Sequence, residues 1–140
     1  MTENKEKELQ EKVILYQLVE KHFEQLGQEA AIIDRKHLEL ETTMEALKDI
    51  EKAKEGNDIL VPIGSGVFSY ARLSETGRLL VDVGAGVYLE RDIESAKTLI
   101  EEKREELNKI TEELQKEIND TAARLNSLIL EIERLSKEKK

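Results

Sequence analysis

"DILVPIGSGVFSY" occupies Asp58–Tyr70, and twenty residues further on the chain reads "RLLVDVGAGVYLE", Arg78–Glu90. In register, Leu60-Val61 falls on Leu80-Val81, Ile63-Gly64 on Val83-Gly84, and Gly66-Val67-Phe68 on Gly86-Val87-Tyr88. Each copy holds two short runs of β-branched and aromatic residues around a Gly-x-Gly, the pattern of a hairpin. The polar "SETG" of Ser74–Gly77 reads as the turn between the two hairpins. In the second copy a three-residue loop places Leu79, Val81, Val83, Val87 and Leu89 on one apolar face. A two-residue loop would mix Val81 with Tyr88 instead, so the three-residue loop is the expectation.

Outward from this centre, both flanks carry the period of long helices. Leu9, Tyr16, Phe23, Ala30, His37 and Met44 form one heptad set; Lys12, Val19, Leu26, Ile33, Leu40 and Leu47 form the other. Such alternation of threes and fours is a coiled-coil seam, with Lys12 and His37 as its polar members. Gly56, followed by Asn57 and Asp58, reads as the stop. After the hairpins Asp92 is a candidate N-cap, and Ile100, Lys103, Leu107, Ile110 and Leu114 open a second seam. It continues through Ile118, Thr121, Leu125, Leu128, Ile132 and Leu135, with a stutter at Leu114–Ile118 where a step of four follows another four. The expected organisation is residues 1–56 as an N-terminal coiled-coil helix, 57–91 as two hairpins and 92–140 as a C-terminal coiled-coil helix, an α+β chain. If the helices leave the centre together they run antiparallel, so that His37 lies near Asn108 and Leu15 near Leu130.

Composition agrees. Charged residues make up 38% and aromatics 4% of the 140 residues, with one proline and no tryptophan. That leaves few large side chains for a compact core, yet regular apolar spacing argues against disorder, and long helices with a narrow seam satisfy both. The absence of cysteine excludes disulfides and thiolate metal sites. No apolar signal core or membrane-length run is present, and a net charge of −9 argues against binding a nucleic-acid duplex. The expectation is a soluble cytoplasmic protein with no nucleic-acid or membrane partner.

No enzymatic chemistry is expected. The tempting dinucleotide loops, Gly64-Ser65-Gly66 and Gly84-Ala85-Gly86, carry Ser69 and Leu89 where a third glycine belongs, and strands follow where a helix must open. Carboxylates are dispersed along helical faces, and His22 and His37 stand fifteen residues apart without ligand-spaced partners. No catalytic, metal or cofactor residue is assigned, and no cofactor is expected.

Two hairpins make four short strands with open edges, a unit that is marginal alone and invites pairing. The helices are engaged with each other, so other chains must complete the sheet, most economically as a closed barrel. The residues expected to build that oligomerisation body are Val61, Ile63, Gly64, Gly66, Val67, Val81, Val83, Gly84, Gly86 and Val87.

Long helix, "VPIGSGVF", "VDVGAGVY", long helix: over essentially its whole length the chain resembles the α-class subunit of prefoldin, the archaeal type especially. The doubled hairpin marks the α class, since the β class carries one. The resemblance implies a hetero-hexamer of two α and four β-class subunits, with a double β-barrel body and six coiled-coil arms. It also implies an ATP-independent holdase that captures non-native proteins and passes them to a group II chaperonin. The competing expectation is a structural coiled-coil adaptor, or a filament-forming relative with one defined partner.

A two-stranded seam uses two positions in seven, and the chain ends exceed this. Val13, Ile14, Leu15 and Leu18 lie outside the seam in "VILYQLV", as do Ile129 and Leu130 in "LNSLILEIERL". In an antiparallel hairpin both surpluses fall at the free tips, where exposed apolar side chains would bind clients. The plainer alternative is that they widen the seam or join arm to arm.

Overall fold

The computed structural model describes residues Thr2–Glu138. The elements are α1 (Thr2–Lys52), β1 (Asp58–Gly64), β2 (Val67–Arg72), β3 (Leu79–Asp82), β4 (Tyr88–Arg91) and α2 (Ile93–Glu138). Two compact units result: residues up to Lys36 with those from Leu107 onward, and residues His37–Glu106. The first is an arm of paired helix segments. The second carries the helix bases and both hairpins.

In the arm, the expected α1 seam is the face that leaves water. Val19 and Leu26 are buried, and Leu9, Lys12, Tyr16, Phe23, Ala30 and Ile33 are half-buried. On α2, Leu107, Thr121, Leu128 and Leu135 are buried, with Thr111, Leu114, Ile118, Leu125 and Ile132 half-buried between them. These positions alternate fours and threes without a break, so the arm has no stutter at Leu114–Ile118. Thr111 takes the seam place expected for Ile110, which is exposed. The reason is phase: carried back from Leu135, the four-three rhythm arrives at Thr111, not Ile110. The threonine hydroxyl donates to the Leu107 carbonyl at 2.8 Å, so its entry leaves no unsatisfied donor.

The antiparallel register is read directly from polar side-chain pairs between the two helices. Lys5 faces Glu138 at 3.7 Å, Lys12 faces Glu131 at 2.9 Å and His22 faces Glu117 at 3.2 Å. Surface pairs of this kind contribute about 0–1 kcal/mol each, whereas burying a Leu or Val side chain contributes roughly 1.5–3 kcal/mol. The seam therefore holds the arm together, and the charges select its register.

In the second unit Met44, Leu47, Ile93 and Ala96 are buried, and Lys97 pairs with Glu51 across the helix bases. Ile100 and Arg104 are half-buried while Lys103 is exposed, which corrects the second seam's opening. Two successive steps of four thus fall at Ala96, Ile100 and Arg104, and the stutter lies there.

Helix α1 ends at Lys52, four residues short of Gly56. Gly56 instead occupies a turn in which the Asn57 amide donates to Lys54 at 3.1 Å, and its φ of +84° is one that L side chains avoid. Its amide donates to the Leu73 carbonyl at 2.7 Å and the Leu73 amide to Asn57 at 2.9 Å, so the helix exit is stitched to the first hairpin. At the other end Asp92 is the expected N-cap: its Oδ1 accepts the Ser95 amide at 2.7 Å, and its carbonyl accepts the Ala96 amide. That bond, the Ser95 hydroxyl and the nearby Arg91 hold the Asp92 carboxyl below its ordinary range.

Strands β1 and β2 form one antiparallel sheet and β3 and β4 another; neither closes within the chain. Val81 stands opposite Leu89 and Asp82 opposite Tyr88, the register expected from a three-residue loop. A two-residue turn plus a bulge produces it. Ala85 (φ +52°) and Gly86 (φ +75°) form the turn, closed by the Val87 amide on the Gly84 carbonyl, and Gly84 (φ +126°) is the extra residue. Ser65 and Gly66 repeat the device, with the register shift between Pro62 and Gly64. The doubled sequence is thus a doubled turn.

Candidate functional site

Two sets of exposed apolar side chains stand out, one on each unit. On the hairpins, all ten residues expected to build an assembly body are exposed except Val81, which is half-buried. The pairing also places residues that the sequence reading passed over. Leu60 pairs with Tyr70 and Pro62 with Phe68, so these four share one face of the first hairpin. Tyr70 is 90% exposed, and Leu60 and Phe68 are likewise bare. Residues two apart on a strand share a face, so the face follows from strand geometry once the two runs are placed as paired strands. On the second hairpin Leu80 and Tyr88 are exposed on the equivalent face.

The opposite face of β3 is partly covered. Leu79 and Val81 are half-buried and, with Thr43, Leu47, Ala96 and Ile100 of the helix bases, they line a groove of about 260 Å³. This corrects the expectation that the helices are engaged only with each other: their bases, with Lys103 as well as apolar residues, line a groove with β3. Arg78 fixes the approach to this strand. Its guanidinium donates to Glu75 at 2.6 and 3.0 Å and to Glu90 at 3.1 and 3.2 Å, tying the "SETG" turn to β4. The hydrogen bonds from Arg78 hold the Glu75 carboxyl below its ordinary range.

At the arm end, Ile14, Leu18 and Leu130 are well exposed, and Val13 and Ile129 are exposed to a lesser degree. Leu15 is half-buried and flanks the seam beside Tyr16. Five of the six residues singled out are therefore surface residues, and one is partly packing. The Tyr16 phenol is held above its ordinary range by its hydrogen bond to Glu20. A third exposed pair, Ile32 and Ile110, lies further along the same unit.

Among the described residues no group of three His, Cys, Asp or Glu is placed to hold a metal ion, and no helix is long and apolar enough to cross a membrane. What these surfaces offer is apolar contact over open strand edges and over bare helix ends.

The family described as "Prefoldin subunit" matches residues 19–138. The chain is 32% identical over 109 residues to prefoldin subunit alpha of Methanothrix thermoacetophila, covering 78% of this chain and 71% of that one. It is 30% identical over 133 residues to prefoldin subunit alpha of Pyrococcus horikoshii, covering 94% and 87%. Among solved structures, filamentous PFD from Methanocaldococcus jannaschii matches with a TM-score of 0.70 at 26% identity, over 87% of this chain and 98% of that one. Paired hairpins between two long antiparallel helices, with a family match running from residue 19 of α1 through both hairpins and α2, lead to one conclusion: this chain belongs to the prefoldin family.

Proposed function

We propose that this chain is the α-class subunit of an ATP-independent chaperone, a holdase whose hairpins join β-class subunits in a barrel body and whose arm ends capture non-native proteins. Delivery of the captured client to a group II chaperonin completes the reading. The observation that carries it is the exposure of apolar side chains on both units, on open hairpin strands in one and on the helices of the arm end in the other. Strand edges demand backbone partners and suit a defined assembly. Bare aliphatic side chains on a helix demand only apolar contact and suit clients of any sequence.

The magnitudes suit capture and release. At ~25 cal/mol per Å2 of apolar area, three or four side chains give weak binding per arm, and several arms acting together raise it by avidity. No nucleotide is needed for such binding.

The test is aggregation of a denatured client followed by light scattering without ATP, using the complex assembled with a β-class partner. Ile14→Ser, Leu18→Ser and Leu130→Ser together are expected to leave assembly intact and weaken suppression. Undiminished suppression by that variant would place capture on the partner's arms, and no suppression by the unaltered complex would favour a structural or filament-forming role.

A further inference from the structure

The two hairpins share no strand ladder, so their relation depends on residues 73–78 between β2 and β3. At its start this segment is pinned by backbone: the Gly56 amide donates to the Leu73 carbonyl and the Leu73 amide to the Asn57 carbonyl. Over residues 74–77 no backbone hydrogen bond follows among the described residues. Arg78 supplies a tie of another kind. Its Nε and Nη2 grip the Glu75 carboxylate at 2.6 and 3.0 Å, and its Nη1 lies 3.1 and 3.2 Å from the two oxygens of Glu90. Glu90 is the β4 partner of Leu80, so one guanidinium joins the connecting segment to the far strand of the second hairpin.

We infer that Arg78 is a positioning residue for assembly: it holds the second hairpin in one orientation to the first before other subunits engage the two. The inference rests on the reading that the hairpins build the oligomer, and adds to it the residue that presents them. Three observations carry it. The sequence repeat is broken here, for its register sets Asp58 on Arg78, and Asp58 pairs across its own hairpin with Arg72 at 3.5 Å. A hairpin that needed only its open end tied would need no more than that, so the second carboxylate, Glu75, serves the connection. The connection is also the stretch without backbone hydrogen bonds, and a segment that must be ordered on binding lowers affinity. The geometry is the third observation. Single ion pairs as exposed as these contribute little, but a guanidinium forked on one carboxylate and shared with another is the arrangement in which surface charges do fix a backbone.

Each hairpin keeps its own ladder and its own turn whether or not Arg78 is present. What the guanidinium fixes is the relation between them. Subunits that engage both hairpins do so as a bivalent partner, and the effective concentration at the second hairpin falls when that relation is loose. Arg78 therefore acts on the second contact and not on the stability of either hairpin.

Two measurements test this. The chain has no cysteine, so Ser69→Cys and Leu80→Cys place one spin label on each hairpin of the full chain. Double electron–electron resonance is expected to give a narrow distance distribution with Arg78 in place and a broad one with Arg78→Gln. In the second measurement, assembly of unlabelled chains with β-class subunits is titrated by sedimentation velocity. Arg78→Gln is expected to weaken assembly about fivefold with helicity at 222 nm retained. Arg78→Lys, which keeps the charge and loses the fork, is expected to recover only part of that. Glu75→Gln and Glu90→Gln are each expected to weaken assembly in the native background and to add nothing in the Arg78→Gln chain, a non-additivity that a general loss of hairpin stability does not produce. An unchanged distance distribution, or unchanged assembly, with Arg78→Gln overturns the inference alone. Failure of the unaltered chain to assemble with β-class subunits overturns the assembly reading, and the inference with it.

Discussion

Lys12 Nζ lies 2.9 Å from Glu131 Oε2, and Lys12 occupies a seam position between Leu9 and Tyr16. The carboxylate oxygen is buried and has no aligned hydrogen bond, so charge alone answers charge. A polar seam residue costs stability relative to leucine but is satisfied in one register only. Sliding α2 by one turn would carry Glu131 away from Lys12. Lys12→Glu is expected to lower the stability of the arm by about 0.5–1 kcal/mol, and Glu131→Lys in the same chain to restore most of it. A double-mutant cycle from thermal melts at low and high salt measures the coupling, which must shrink as salt rises; a coupling of zero would show that the seam sets the register without it.

Val81 stands opposite Leu89 and beneath it lie the apolar helix bases. Val81→Asp introduces a charge on that half-buried face, in the groove that Val81 lines with residues of the helix bases, and leaves the helix sequences themselves unaltered. The expected outcome is loss of the oligomer by static light scattering with helicity at 222 nm retained. An intact oligomer would show that this strand face is not part of the assembly.

Asp92 gives a pH signature. The Ser95 amide holds its carboxyl below the ordinary 3.8, so the folded state prefers the carboxylate. The stabilisation is present in full above that ordinary value and is lost as pH falls from there through the lower folded value. Asp92→Asn keeps the capping oxygen but cannot titrate, so its melting temperature is expected to depend less on pH across that acid window and to converge with the native chain at its lower end. Parallel curves for the two proteins would remove the cap from the account.

Gly27 sits inside α1 beside the seam, and a Cβ there would meet nothing within 4 Å. No turn or close approach requires glycine. Gly27→Ala is expected to stabilise the arm by roughly 0.5–1 kcal/mol through a smaller entropy loss on folding. Thermal melts check the gain, and client capture by the stiffened helix, compared at equal concentration, shows whether local opening there serves function.

The α1 seam, the two hairpins, the turn glycines and the Asp92 cap were all legible before any coordinates, because each is a short-range pattern. Heptad spacing, Gly-x-Gly between β runs and a capping aspartate depend on residues within a turn or two of one another. The candidate site was legible only in part. Excess apolar residues near the arm end pointed to Ile14, Leu18 and Leu130, whereas Leu15, from the same run, is half-buried against the seam. Ile32 went unnoticed beside the seam residue Ile33, and Ile110 was read as a seam residue because it fitted a seam phase of its own.

The amino-acid sequence by itself determined what elements form and where each begins, since backbone sterics and side-chain period act within one element. Tertiary structure decided the phase of one element against another. A rotation of α2 by one residue exchanges Ile110 for Thr111 and moves the stutter to the helix base, at almost no cost to the isolated helix. Only the packing of Leu107, Leu114 and their successors against α1 distinguishes the two phases, through the apolar area that each leaves in water. The same holds for the hairpins. Strand geometry defines two faces, and the groove shared with Leu47, Ala96 and Ile100 shows which face of β3 turns toward the helix bases.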